Sequence, residues 1–189
     1  MTRLDPVPYT EWDQDALMPM TGGRTIPPSN SISFLLNHPD LAKAFLTLST
    51  HLAAKSTLPP RVRELAVLRV AWRRRCRYEW AQHLLTARRK GVTDEEIAEV
   101  RAGADTVLNR AVDELDCDSR LSDATYAELA AQEGLDDRQM MDLVFTVGGY
   151  GTLAVAFNTF EVELDDGLDD GGFEQGEPSY PESKVTFST

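Results

Sequence analysis

The chain has 189 residues, 42% apolar and 26% charged, with a formal net charge of -12 at pH 7. That length suits one domain whose core folds without disulfides or a structural metal, and the composition is globular. The acidic total excludes a phosphate-backbone binder, because nonspecific nucleic-acid affinity comes from Lys and Arg neutralising phosphates.

Residues 1–30 carry Pro6, Pro8, Pro19, Gly22, Gly23, Pro27 and Pro28, which break any regular period and predict an extended arm anchored by Trp12 and Met18. The stretch from Met1 to Gly23 lacks the continuous apolar run of an export signal. A cytoplasmic protein is therefore expected, with Cys76 and Cys117 as free thiols.

The main domain is expected over residues 31–165. From Ser33 to Ala53, Leu35, Leu36, Leu41, Phe45, Leu48 and Leu52 recur at helical spacing around a break at Asn37-His38-Pro39, which predicts two short helices. Pro59-Pro60 introduces a helix with Leu65, Leu68 and Trp72 inward. Another runs from about Cys76 to Lys90 and stops at Gly91, and Thr93 with Glu96 forms a capping box for the next. Val107–Leu115 and Asp123–Ala131 repeat the pattern, the latter capped by Ser122 or Asp123. A long helix runs from Asp136 or Asp137 to about Phe160; Gly148, Gly149, Gly151 and Thr152 interrupt its apolar stretch, so it reads as buried and not as a membrane span. Residues 166–189 form an Asp- and Gly-rich acidic tail, expected to be solvated. The arginine run from Arg61 to Arg77 reads as a solvated or intersubunit face. No strand alternation is visible, and the fold class is all-α, a single-domain helical bundle.

A helix through Cys76 stacks Cys76, Glu79 and His83 on one face, with Trp80 beside them. Glu64, on the preceding helix beside its buried stripe, reaches the same cleft. A partly apolar wall perturbs proton affinities. Glu79 and His83 suit proton transfer, since an unperturbed imidazole titrates at about 6.5; the same pair also reads as a plain ion pair. Cys76 reads as a small buried hydrophobe, or as a nucleophile activated by the Arg cluster and a helix N-terminus. Arg63 or Arg77 suits a substrate carboxylate, and Tyr150 is core or pocket lining. Three ligand types on one helix face make a poor zinc site. No organic cofactor is indicated, because Gly148-Gly149-x-Gly151 follows no strand.

These residues carry a resemblance. Leu58-Pro59-Pro60-Arg61-Val62-Arg63-Glu64-Leu65, Tyr78-Glu79-Trp80-Ala81-Gln82-His83 and Gly91-Val92-Thr93-Asp94-Glu95-Glu96-Ile97, with Val147-Gly148-Gly149-Tyr150 and Phe157-Asn158 later, resemble the carboxymuconolactone decarboxylase and alkyl hydroperoxidase D superfamily over roughly Ser33 to Leu164. The resemblance implies catalytic roles for His83, Glu79, Cys76 and Glu64, and a substrate site including Arg63, Arg77, Trp80 and Tyr150. In its decarboxylase branch a Glu precedes a His by four residues, here Glu79 and His83, which implies acid–base chemistry on a small organic acid or lactone. In its peroxidase branch the pattern is Glu, Cys-x-x-Cys, His. Position 79 is Glu here, so Cys76 would need an external thiol to resolve its oxidised form. A ligand-binding helical oligomer without chemistry is the third reading. The resemblance also implies a homo-oligomer, a dimer, trimer or hexamer, whose boundary the arm would cross; a small-molecule substrate is the other expected partner, with neither nucleic acid nor membrane.

Overall fold

The computed structural model describes residues 2–173. Within them the order is α1 (Gln14–Thr21), α2 (Asn30–Leu35), α3 (Pro39–Thr50), α4 (Pro60–Arg73), α5 (Arg77–Arg89), α6 (Asp94–Ala102), α7 (Val107–Cys117), α8 (Asp123–Glu128) and α9 (Asp137–Phe160). Single π-type turns, His51–Lys55 and Leu129–Glu133, extend α3 and α8.

Helix α4 is the axis of the bundle. Every residue from Val62 to Arg73 is buried, with α5, α6, α7 and α9 packed around it. A helix enclosed on all sides must satisfy its charged side chains inside the protein, and those of α4 are paired. Arg69 makes a forked contact to Asp113 on α7 at 2.8 and 2.7 Å and donates to the Val100 carbonyl at 2.6 Å. Arg73 and Arg74 both reach Asp116, at 3.0 and 2.6 Å. The reading of the arginine run as a solvated or intersubunit face is thus corrected for Arg63, Arg69 and Arg73. The acids that partner Arg69 and Arg73 lie some forty residues downstream, beyond the reach of local sequence patterns.

Local chemistry sets the helix ends. Pro60 occupies the first position of α4, where its missing N–H costs nothing. Helix α5 ends in a Schellman motif: Gly91, at φ +85°, donates to the Arg88 carbonyl, and Val92 donates to that of Ala87. Thr93 and Glu96 form the expected box on α6, Ser122 caps α8, and Asp136 with Gln139 boxes α9.

Three expectations are revised. The N-terminal arm is not extended throughout. Asp13 accepts from the amides of Asp15 and Ala16 and starts α1, which ends at left-handed Gly22. Trp12, Ala16 and Leu17 bury against Ile32, Leu36, Ala42 and Leu46 as a second small core. That burial outweighs the cost of Pro19 inside the helix. Met18, read as an anchor, is exposed, as is Leu41. Second, the acidic tail is docked at its start. Trp80 donates to the Asp170 carbonyl at 3.0 Å, Arg101 donates to that of Gly171 at 2.6 Å, and Phe173 packs edge-on to Trp72 at 5.1 Å; residues 174–189 lie outside the described region. Third, α9 is buried on one face only. It is the one helix among the described residues long and apolar enough to cross a membrane. Leu143, Val147, Tyr150, Ala154 and Phe157 face the core, and Met141, Val144, Phe145 and Val155 are exposed.

Candidate active site

The site lies where α4, α5 and α9 meet. The all-round burial of α4 carries Glu64 inward, 1% exposed. Four-residue spacing on α5 aligns Glu79 with His83. His83 bridges the two carboxylates: Nδ1 lies 2.7 Å from Glu64 Oε2 and Nε2 lies 3.5 Å from Glu79 Oε2. Behind Glu64, Arg63 donates to Oε1 through Nε and a terminal nitrogen, at 3.2 and 3.0 Å. The Tyr150 ring meets the imidazole edge-on at 4.8 Å.

The two carboxyls sit in opposed electrostatic settings. Burial disfavours ionised Glu64, but the hydrogen bonds and charges of His83 and Arg63 outweigh it and hold the carboxyl below its ordinary value. Glu79 has no arginine, and burial pushes it up to about 7, with His83 only partly opposing. The ionised Glu64 favours the tautomer in which Nδ1 carries the hydrogen it accepts, which leaves Nε2 facing Glu79 at 3.5 Å. Burial, reinforced by the two carboxylates, raises the Tyr150 phenol, which stays neutral.

Glu79, His83 and Tyr150 line a cavity of about 460 Å³, within the range of small-molecule sites. Its remaining walls come from the arm, α2, α3 and α9, including Met20, Ile26, Phe45, Leu46, Leu153 and Phe157. Asp165, also in the lining, ties the start of α2 to α5. Its Oδ1 accepts from the Asn30 amide at 2.7 Å, and its Oδ2 accepts from Tyr78 Oη and Gln82 Nε2 at 2.8 and 2.6 Å.

Of the residues singled out by sequence, the structure brings Glu64, Glu79, His83 and Tyr150 together. Cys76 is not in the helical stripe: it is the N-cap of α5, with φ -89° and ψ 92°, and is fully buried. The amides of Tyr78 and Glu79 point at its sulfur, but burial and the Glu79 carboxylate dominate and push the thiol up to about 12. This reverses the activation expected from the helix N-terminus and the arginines, whose partners are acids elsewhere. Arg63 backs Glu64, Arg77 pairs with Asp170 at 2.5 Å, and Trp80 is buried against Trp72 and Phe173. None of these three lines the cavity.

Sequence reasoning missed Tyr78, Gln82 and Asp165. Tyr78 and Gln82 repeat the spacing of Glu79 and His83 one residue earlier, a signal that was available; Asp165 stands in a run of acids with nothing to distinguish it. Among the described residues no cluster of three or more His, Cys, Asp or Glu is arranged to hold a metal ion.

The model of the carboxymuconolactone decarboxylase family matches residues 39–112, a span that holds Glu64, Cys76, Glu79 and His83. The resemblance read from sequence ran on to Leu164, and beyond residue 112 the fold alone carries it. The chain is similar to the crystal structure of an uncharacterized peroxidase-related protein from Silicibacter sp. TM1040, at 16% identity over 91% of this chain and 95% of that one, with a TM-score of 0.68. It is also similar to the alkylhydroperoxidase AhpD core of an uncharacterized peroxidase-related protein from Ralstonia eutropha JMP134, at 18% identity over 87% and 93% of the two chains, with a TM-score of 0.70. At these identities the likeness is one of fold. No curated protein sequence matches. Residues 39–112 thus match the carboxymuconolactone decarboxylase family, and the chain as a whole shares the all-helical fold of the two peroxidase-related structures.

Proposed function

We propose that the protein is an acid–base enzyme, needing no organic cofactor, that moves protons on a small organic acid or lactone. His83 and Glu79 are the transferring groups, and Glu64 is a positioning residue. The observation that carries this reading is the imidazole held between one ionised and one near-neutral carboxyl in the lining of a cavity.

Proton transfer needs a donor and an acceptor whose affinities bracket the working pH. Here the basic Nε2, or the ionised Glu79, takes a proton from the carbon beside a carbonyl. The C–H electron pair passes to the carbonyl oxygen as an enolate. In an isomerisation the protonated partner then returns a proton to a different carbon; in a decarboxylation no C–H bond breaks, the electron pair of the C–C bond to the carboxylate forms the enolate as carbon dioxide leaves, and the protonated partner delivers a proton to that carbon. The ionised Glu64 balances the imidazolium that forms between the two steps.

His83→Ala should lower turnover by about 10²–10⁴-fold while leaving helical content close to wild type. Solvent deuterium uptake at the acidic carbon, followed by NMR, reads the half-reaction directly. Full activity of the variant on an identified substrate would refute the assignment.

The alternative reading is a thiol-dependent hydroperoxide reductase using Cys76. The descriptions of the two similar structures as peroxidase-related favour it. Against it stand the buried thiol, pushed up to about 12, and glutamate at position 79. Peroxide-dependent sulfenic acid at Cys76, trapped and located by peptide mass spectrometry, would decide for this alternative.

We also propose a homo-oligomer in which a second copy covers the outer face of α9. Met141, Val144, Phe145 and Val155 recur there at helical spacing and are exposed, a stripe of the kind that marks protein contacts.

A further inference from the structure

The walls of the cavity bear on what it admits. Large apolar side chains line it, among them Met20, Ile26, Phe45, Leu46, Leu153 and Phe157. Its polar lining includes Glu79, His83, Gln82, Tyr78 and Asp165. Among the described residues neither Lys nor Arg lines it. The two arginines that sequence had put forward for holding a substrate carboxylate are turned elsewhere, Arg63 to Glu64 and Arg77 to Asp170.

Acidic oxygens, by contrast, surround it. Glu79 and Asp165 line the cavity, and Glu64 lies directly behind His83. The donors beside Asp165 are engaged: Tyr78 Oη and Gln82 Nε2 both donate to it, and Tyr78 Oη also meets Ser29 Oγ at 3.1 Å. Among the described lining residues the one group able to carry positive charge is the His83 imidazole, which already contacts Glu64 and Glu79. An entering carboxylate would lose its hydration, meet two carboxyl groups and gain no free cation. A buried ion without a partner is strongly disfavoured. A carbonyl oxygen needs only one donor, and the protonated Glu79 carboxyl, pushed up to about 7 by burial, can supply it.

We infer that this cavity takes a neutral, largely apolar carbonyl compound, a medium-chain lactone or ketone, and rejects carboxylates. The inference rests on reading the Glu79–His83 cavity as the active site, and it narrows "organic acid or lactone" to the neutral member. Within the proposed chemistry it favours isomerisation over decarboxylation, because the second needs a carboxylate to enter.

A matched pair tests this: γ-octalactone and the hydroxy acid made by opening its ring, titrated into the full-length protein at pH 7.5 by isothermal calorimetry or saturation-transfer NMR. The lactone should bind at least about tenfold more tightly than the acid. Ser49→Lys, which places an ammonium in the cavity wall, should raise the affinity for the acid and narrow that ratio severalfold. Equal or tighter binding of the acid by wild type overturns the inference. So does absence of lactone binding up to its solubility limit, or a ratio that Ser49→Lys leaves unchanged, since the missing cation would then not decide selection. Deuterium exchange separates the two levels of the argument. Lactone binding without His83-dependent exchange refutes the acid–base reading and leaves the ligand class standing; preference for the acid with His83-dependent exchange does the reverse.

Discussion

Glu79→Gln should stabilise the protein at alkaline pH and leave it unchanged at acid pH. The folded environment raises Glu79 from 4.5 to about 7 by burial. In the folded state the carboxyl therefore holds its proton between these values, where the unfolded chain has already released it. Stability contributed by the proton is fully present below about pH 4.5 and is lost as pH rises through about 7. At about 1.4 kcal/mol per tenfold change in proton affinity, the ionised carboxylate costs the fold about 3 kcal/mol above that point. Glutamine is close to isosteric with the protonated acid and never ionises. Urea unfolding of both proteins at pH 5 and at pH 8.5 should thus give near-equal stabilities at the lower pH. At the higher pH the variant should lead by about 3 kcal/mol, or about 6–12 °C in melting temperature for a chain of this size. Groups remote from Glu79 titrate alike in both proteins and cancel in the difference. A stability difference that does not change with pH would refute the argument, because Glu79 would then have the same proton affinity folded and unfolded.

Three further outcomes are expected. In the native protein at pH 8, a disulfide reagent should titrate one thiol, the exposed Cys117, and in urea two; ready modification of Cys76 in the native state would contradict its burial. Asp113→Ala strips the buried Arg69 of its carboxylate and should cost about 3–5 kcal/mol in urea unfolding, whereas a loss under about 1 kcal/mol would mean that water screens the pair. Phe145→Asp, on the exposed stripe of α9, should shift the sedimentation coefficient towards the monomer without loss of helix; a monomeric wild type would dispose of the proposed contact.

The Glu79–His83 pair was legible because its signal is local. Glu79 and His83 are four residues apart on a helix bounded by Gly91, and helical geometry places them side by side whatever surrounds them. The boundaries of α4, α6 and α9 were legible for the same reason, since prolines and capping boxes act within one turn. Cys76 marks the limit of that reasoning. Three residues before Glu79 it falls on the same stripe by spacing, but the chain enters α5 through it with extended dihedrals, so the cap geometry and not the helix sets where its sulfur lies.

Tertiary structure decided everything that depends on who is buried against whom. The arginines of α4 look solvent-facing in sequence and are interior because Asp113 and Asp116 come to them on α7. The proline-rich arm gains a helix because Trp12 and Leu17 find α3. The two glutamates of the site are the same residue type. One is ionised because Arg63 and His83 hold it, and the other is near neutral because apolar packing encloses it without a dedicated cation. Sequence by itself determined which groups share a helix face; desolvation and partner choice, which sum over contacts distant along the chain, determined their protonation and with it the chemistry the site can perform.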